Sequence, residues 1–133
     1  MNLVLDTNSL FSFFWKGSFI RKLLAKEHAL YSLHFALEEL NKHKQEILKK
    51  AKLSSSNFNE LIAELKDLIK FIPFSEYSNR ITEAYNLLPK HAKDIDFLAL
   101  ALKLNAAILS NDKELLNQSK IKMFNKINLQ HLF

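Results

Sequence analysis

Short apolar runs alternate with longer amphipathic stretches along the chain, and the alternation predicts its elements. Leu3, Val4 and Leu5 read as a buried strand that ends against a carboxylate, Asp6. "SLFSFFWKG" reads as a short helix or turn ending near Gly17, and "SFIRKLLAKEH" as an amphipathic helix with Phe19, Leu23 and Leu24 on one face. "ALYSL" (29–33) is a second strand. "HFALEELNKHKQEILKKAKL" then predicts one long helix, with Ala36, Leu40, Ile47 and Ala51 on its apolar stripe. "SSSN" (54–57) is a polar break rich in N-cap residues, and "FNELIAELKDLIK" is the next helix. "FIPF" (71–74) predicts a third strand, which Pro73 assigns to a sheet edge or a strand end. "SEYSNRITEAYNLL" is helical and stops before Pro89. "DIDFLALALKL" is a strongly apolar helix, "AAILS" (106–110) a buried strand, "NDKELLN" a helical turn and "IKMFN" a last strand.

Strands separated by helices indicate an α/β fold with a mostly parallel sheet. Ligands of such sheets bind outside the carboxyl ends of the strands, where the strand order reverses. Asp6 sits at one such end and Asp112, just past "AAILS", at another.

Composition narrows the chemistry. The 133 residues fit a single domain spanning 1–133. With one glycine, neither common glycine-rich phosphate loop can form, which excludes nucleotide chemistry of that kind. With no cysteine, disulfides and thiolate metal sites are excluded, which suits a cytoplasmic protein. No apolar run approaches the ~20 residues that span a bilayer, and the N-terminus reads as the first strand, not a signal peptide. The net charge of +5 attracts polyanions without defining a binder.

Of five aspartates, Asp67 lies on a helix face among lysines, whereas Asp6, Asp94, Asp96 and Asp112 sit at the ends of apolar elements. Each of the four has a plain reading as a helix cap or first-turn acid. Periodicity separates two of them. Asp94 shares a helix face with Leu98 and Ala101, the interior stripe, and Asp96 shares one with Leu100 and Lys103, nearer solvent. The same test puts Glu39 at the flank of its helix's apolar stripe and Glu38 farther round the back. Asp6, Glu39, Asp94 and Asp112 are thus expected to converge at one sheet edge. Four carboxylates together repel unless cations neutralise them, and Mg²⁺ or Mn²⁺ is the natural partner of such oxygen ligands.

These residues resemble a PIN domain. "VLDTN" resembles the opening motif of that family, and "LEELNKHKQEI" its second segment, whose acid before a leucine is Glu39. "KDIDFLALALKLNAAILSNDKEL" resembles its third and fourth motifs, with Asp94 opening the helix, small Ala101 seven positions later, and Asp112 preceded by Ser110. The likeness runs from Asp6 to about Leu115. Asn105 stands where the family often has glycine, and asparagine tolerates the left-handed backbone of a helix end.

The resemblance implies a three-layer α/β/α fold and a metal-dependent endoribonuclease acting on single-stranded RNA. It further implies kinship with VapC-type toxins, which form homodimers held inactive by a small antitoxin. The expected metal ligands are Asp6, Asp94 and Asp112, with Glu39 completing the catalytic set and Asp96 an outer ligand or a bystander. Asn8, Ser110 and Lys113 are expected to orient carboxylates or substrate. On this reading Asp6 is tolerated at its strand end because it faces a metal-filled cleft, not because it caps a turn. Two alternatives stand beside it. One is a non-catalytic scaffold binding RNA or a protein partner. The other is phosphate chemistry on a strand-end aspartate, against which "DTN" lacks the two-aspartate spacing of haloacid-dehalogenase-type enzymes.

Overall fold

The computed structural model describes residues 2–15, 19–24, 28–89, 92–110 and 121–124. Strand β1 (Asn2–Leu5) is followed by α1 (Thr7–Phe11), a 3-10 turn (Ser12–Phe14) and α2 (Phe19–Leu24). Next come β2 (Ala29–Leu33), α3 (His34–Lys42), α4 (Lys44–Ala51), α5 (Ser55–Leu68) and β3 (Ile69–Ile72). The chain continues through α6 (Phe74–Tyr77), a 3-10 turn (Ser78–Arg80), α7 (Ile81–Leu87), α8 (Ala92–Leu104), β4 (Ala107–Leu109) and β5 (Met123–Phe124).

Among the described residues five strands form one sheet in the order β3-β2-β1-β4-β5, and every described pairing is parallel. The expected α/β fold is therefore present. Parallel strands need helical crossovers, and those crossovers are right-handed. The chain steps one way from β1 to β2 to β3, then jumps back over them to β4. Reversing direction moves the crossover to the opposite face, which gives three layers. Helix α3 packs on β2 and β3, and α8 on β1, β2 and β4. Buried on both faces, β1 carries an unbroken apolar run, with Leu3, Val4 and Leu5 fully buried.

Where the chain departs from the expected elements, local chemistry explains it. The long helix expected over 34–53 is broken at His43, whose φ of −97° and ψ of 18° leave the helical region. The joint is a bend and not a gap, because His43 N–H still bonds Glu39 O (3.1 Å) and Ile47 N–H bonds His43 O (3.1 Å). Strand β3 begins two residues earlier than expected and stops before Pro73, which then opens α6. It is an edge strand, as the proline suggested. The single helix expected over 75–88 is divided by the 3-10 turn at Ser78–Arg80. The break at 54–57 is as expected, with the Ser54 hydroxyl accepting from Asn57 N–H at 3.0 Å. Asn105 adopts φ of 50°, the left-handed conformation anticipated at that helix end. Among the described residues no helix is long and apolar enough to cross a membrane.

Lys52 also lies in the left-handed region, with φ of 55° and ψ of 48°, where it ends α4. A side chain there costs energy that glycine avoids. Lys52→Gly is expected to raise the unfolding free energy by ~0.5–1 kcal/mol in urea titration. Lys52→Ala, which keeps its Cβ, is expected to give no such gain.

Candidate active site

The reversal of strand order falls between β1 and β4, whose register pairs Leu5 with Leu109. Asp6 and Ser110 are the next residue on each strand, so the fold sets them side by side at the switch point. Both are buried, and the Ser110 hydroxyl donates to Asp6 Oδ2. The other carboxylate oxygen, Oδ1, accepts from Ser9 N–H at 2.9 Å. Asp6 therefore does cap α1, and the expectation that it is not a cap is corrected. The physical reason is that helix α1 starts directly after Asp6, the single residue between strand and helix, leaving an orphan N–H within reach of that side chain. Capping does not exhaust the group. A carboxylate offers about four lone-pair sites, and these two bonds occupy one on each oxygen.

Serines stitch the backbone where the strands part. Ser9 donates its hydroxyl to Leu109 O (3.0 Å), Ser32 to Leu5 O (2.7 Å) and Ser12 to Ser9 O (2.7 Å). Ser32 is fully buried, so its bond satisfies two groups that water does not reach. Ser9 was open to sequence reasoning through its place three residues after Asp6, the spacing of a cap. Ser32 carried no such signal.

Helix α8 runs antiparallel to β4, to which it connects through the turn at Asn105, so its first turn returns to the carboxyl edge of the sheet. Asp94 stands in that turn and is only 9% exposed. Leu98 and Ala101, on the same helix face, are fully buried, as the periodicity required. Leu100, on the Asp96 face, is fully buried too, because α6 and α7 cover α8 from outside. Asp96 accepts from the Tyr77 hydroxyl at 2.7 Å. Burial, then the bond to Asp96 and its negative charge, push the Tyr77 hydroxyl well above its ordinary range. Nothing in the pattern of residues 50–90 pointed to Tyr77.

Glu39 keeps 26% of its side chain exposed against 64% for Glu38, which is the order expected. Its carboxylate lies 3.6 Å from His43 Nε2, and His43 Nδ1 lies 3.5 Å from Glu46. The His43 ring meets Phe11 of α1 edge-on at 5.9 Å. The Glu46 carboxyl is held below its usual range by its hydrogen bond to Lys50 (2.8 Å), then by the Lys50 charge. Phe11, Trp15, His43, Glu46, Ile47 and Lys50 line a cavity of about 320 Å³.

Asn8 is exposed on α1. Asp112 and Lys113 lie outside the described residues. Among the described residues no three His, Asp or Glu side chains gather closely enough to hold a metal ion. The chemistry of the donors does fit a hard divalent cation. Asp6 is a buried carboxylate that, among the described residues, has neutral donors and no cationic partner.

A parallel sheet between helical layers, with the buried carboxylate of Asp6 at its switch point, defines the class of α/β/α domain. Within that class the match is specific: the PIN domain model covers residues 4–130, and the chain belongs to the PIN domain family. Two solved structures share the fold. VapBC2 from Rickettsia felis, bound to a DNA fragment from their promoter, is 19% identical, with 94% of this chain and 98% of that chain covered and a TM-score of 0.66. VapBC-1 from nontypeable Haemophilus influenzae is 17% identical, with 96% and 99% covered and a TM-score of 0.67. No curated protein matches the sequence.

The Tyr77–Asp96 bond has a pH signature. A hydroxyl whose folded value is raised contributes its full stability below the ordinary tyrosine range, near pH ~10, and loses it as pH rises through the folded value. Tyr77→Phe is expected to cost about 1.5–3 kcal/mol at neutral pH in urea titration. The margin between the two proteins is expected to shrink above pH ~10.

Proposed function

We propose that this PIN domain is a metal-dependent endoribonuclease that hydrolyses phosphodiester bonds of single-stranded RNA. The observation that carries the reading is Asp6: a buried carboxylate at the sheet's switch point with spare acceptor capacity and no described counter-charge. Membership of a nuclease family supports it.

In this reading Asp6, Asp94 and Asp112 hold Mg²⁺ or Mn²⁺, with Glu39 at the rim and Asp96 as an outer ligand. Bound divalent ions supply a water activated at neutral pH and stabilise the leaving oxygen. The protein's own part is positional. Ser110 fixes one oxygen of Asp6 and Ser9 the other, so the carboxylate enters the site with its orientation set. Tyr77 holds Asp96 through one oxygen and thereby ties the first turn of α8, which carries Asp94, to α6. Asn8 and Lys113 contact substrate, and lysines elsewhere on this basic chain hold the RNA backbone.

A small antitoxin-type partner, a homodimer and a cytoplasmic location belong to the same proposal. They are supported by the resemblance to VapC-type toxins and by the likeness in fold to two VapBC structures.

Purified protein is expected to cut a mixed single-stranded RNA in Mn²⁺ or Mg²⁺ and not in EDTA. Asp6→Asn and Asp94→Asn are each expected to lower the rate by at least ~100-fold, and Ser110→Ala by ~10–100-fold. Equal cutting by Asp6→Asn and the parent would refute the assigned site. RNA binding that survives removal of the acids, with no cleavage by the parent, would favour a scaffold.

A further inference from the structure

His43 stands at the bend between α3 and α4, and both of its ring nitrogens face acids. Nε2 lies 3.6 Å from Glu39 and Nδ1 3.5 Å from Glu46. The two acids are not equivalent. Glu46 already has a counter-charge, because Lys50 bonds its other oxygen at 2.8 Å. Among the described residues Glu39 has no ion-pair partner besides His43. An imidazole with one N–H donates from one nitrogen and presents a lone pair at the other. Its N–H belongs toward Glu39, where a lone pair would face an uncompensated negative charge.

Ion pairs on a protein surface hold little unless their geometry is fixed. Here the ring is fixed. It meets the Phe11 ring edge-on at 5.9 Å, and the His43 backbone bonds on both sides, to Glu39 O (3.1 Å) and from Ile47 N–H (3.1 Å). Phe11 stands on α1, the helix capped by Asp6, and α1 packs on α3. One side chain thus joins Glu39 to the element that starts at the buried acid of the switch point. A glutamate is long and samples several rotamers unless something holds it.

We infer that His43 is a positioning residue for Glu39, holding that carboxylate in one orientation against α1. The inference rests on the nuclease reading and adds to it the group that sets its fourth acid.

Two variants separate holding from packing. His43→Phe keeps an aromatic ring against Phe11 and removes the nitrogen donors. His43→Gln gives up the ring and keeps an amide N–H as a donor. Both are assayed in the full chain for metal-dependent cleavage of single-stranded RNA. His43→Phe is expected to lower kcat roughly tenfold with KM unchanged. His43→Gln is expected to retain more of the rate than His43→Phe. In a Glu39→Gln background, adding His43→Phe is expected to take nothing further from the residual rate, because the two act as one unit. A second readout needs no cleavage. Side-chain scalar couplings measured by NMR are expected to report one dominant Glu39 rotamer in the parent and averaging in His43→Phe. Glu60, an exposed glutamate on α5, is the control and is expected to be averaged in both.

Averaged Glu39 rotamers in the parent overturn the inference, as does a single rotamer that survives His43→Phe. Full activity in His43→Phe with loss in His43→Gln overturns it too, and assigns His43 to packing on Phe11. So does a further tenfold loss from His43→Phe in the Glu39→Gln background. A parent that does not cut RNA with metal removes the nuclease reading, and the couplings still decide whether His43 holds Glu39.

Discussion

The pairing of β1 with β4 is the constraint on which the rest depends. Those strands lie side by side although the chain leaves them in opposite directions, so no crossover covers the gap at their carboxyl ends. Backbone groups there lack a continuing ladder and need other partners. The Leu109 carbonyl accepts from Asp6 N–H (3.5 Å) and from the Ser9 hydroxyl, and the Asp6 carboxylate accepts from Ser9 and Ser110. The same short hydroxyl side chains that close the polar accounting also fix the acid. Structural support and site geometry are here one set of bonds.

How much of this was readable from the sequence follows from the range of each interaction. Strand β2 over Ala29–Leu33 and helix α8 were plain, because burial on one or both sides writes itself into a local apolar pattern. The ranking of Asp94 above Asp96, and of Glu39 above Glu38, came from the same periodicity. The break at His43 was not readable, since the apolar stripe keeps its phase across it and Ile47 is buried on the far side. The start of β3 was missed because Ile69 and Lys70 continue the helical pattern of α5, and only pairing with Leu30 and Tyr31 makes them a strand. Tyr77 was invisible for a related reason: its partner Asp96 lies nineteen positions away, with no periodicity to join them. Asp6 shows the limit of treating cap and ligand as rivals. A carboxylate has enough acceptor sites to be both.

The bend at His43 also shapes the surface. It lets α3 follow β2 while α4 turns toward α5, and it places the imidazole between Glu39, Glu46 and the Phe11 ring. Phe11 belongs to α1, the helix that Asp6 caps, and Glu39 belongs to α3. One side chain thus touches both the element that begins at the first acid and the element that carries the second. The apolar cavity next to it, with Trp15 at its rim, is continuous with that contact.

The bond between Ser110 and Asp6 spans 104 positions of chain. Contacts of such separation form late, after the local helices and the neighbouring β1–β2 pair. Synthesis adds roughly 5–20 residues per second. On the ribosome, then, Asp6 emerges 104 positions ahead of Ser110 and waits several seconds for the strand that completes its surroundings. A nascent chain holds Asp6 and Ser110 apart until the residues between them have been made, and the switch point comes into being only once β4 has followed β1.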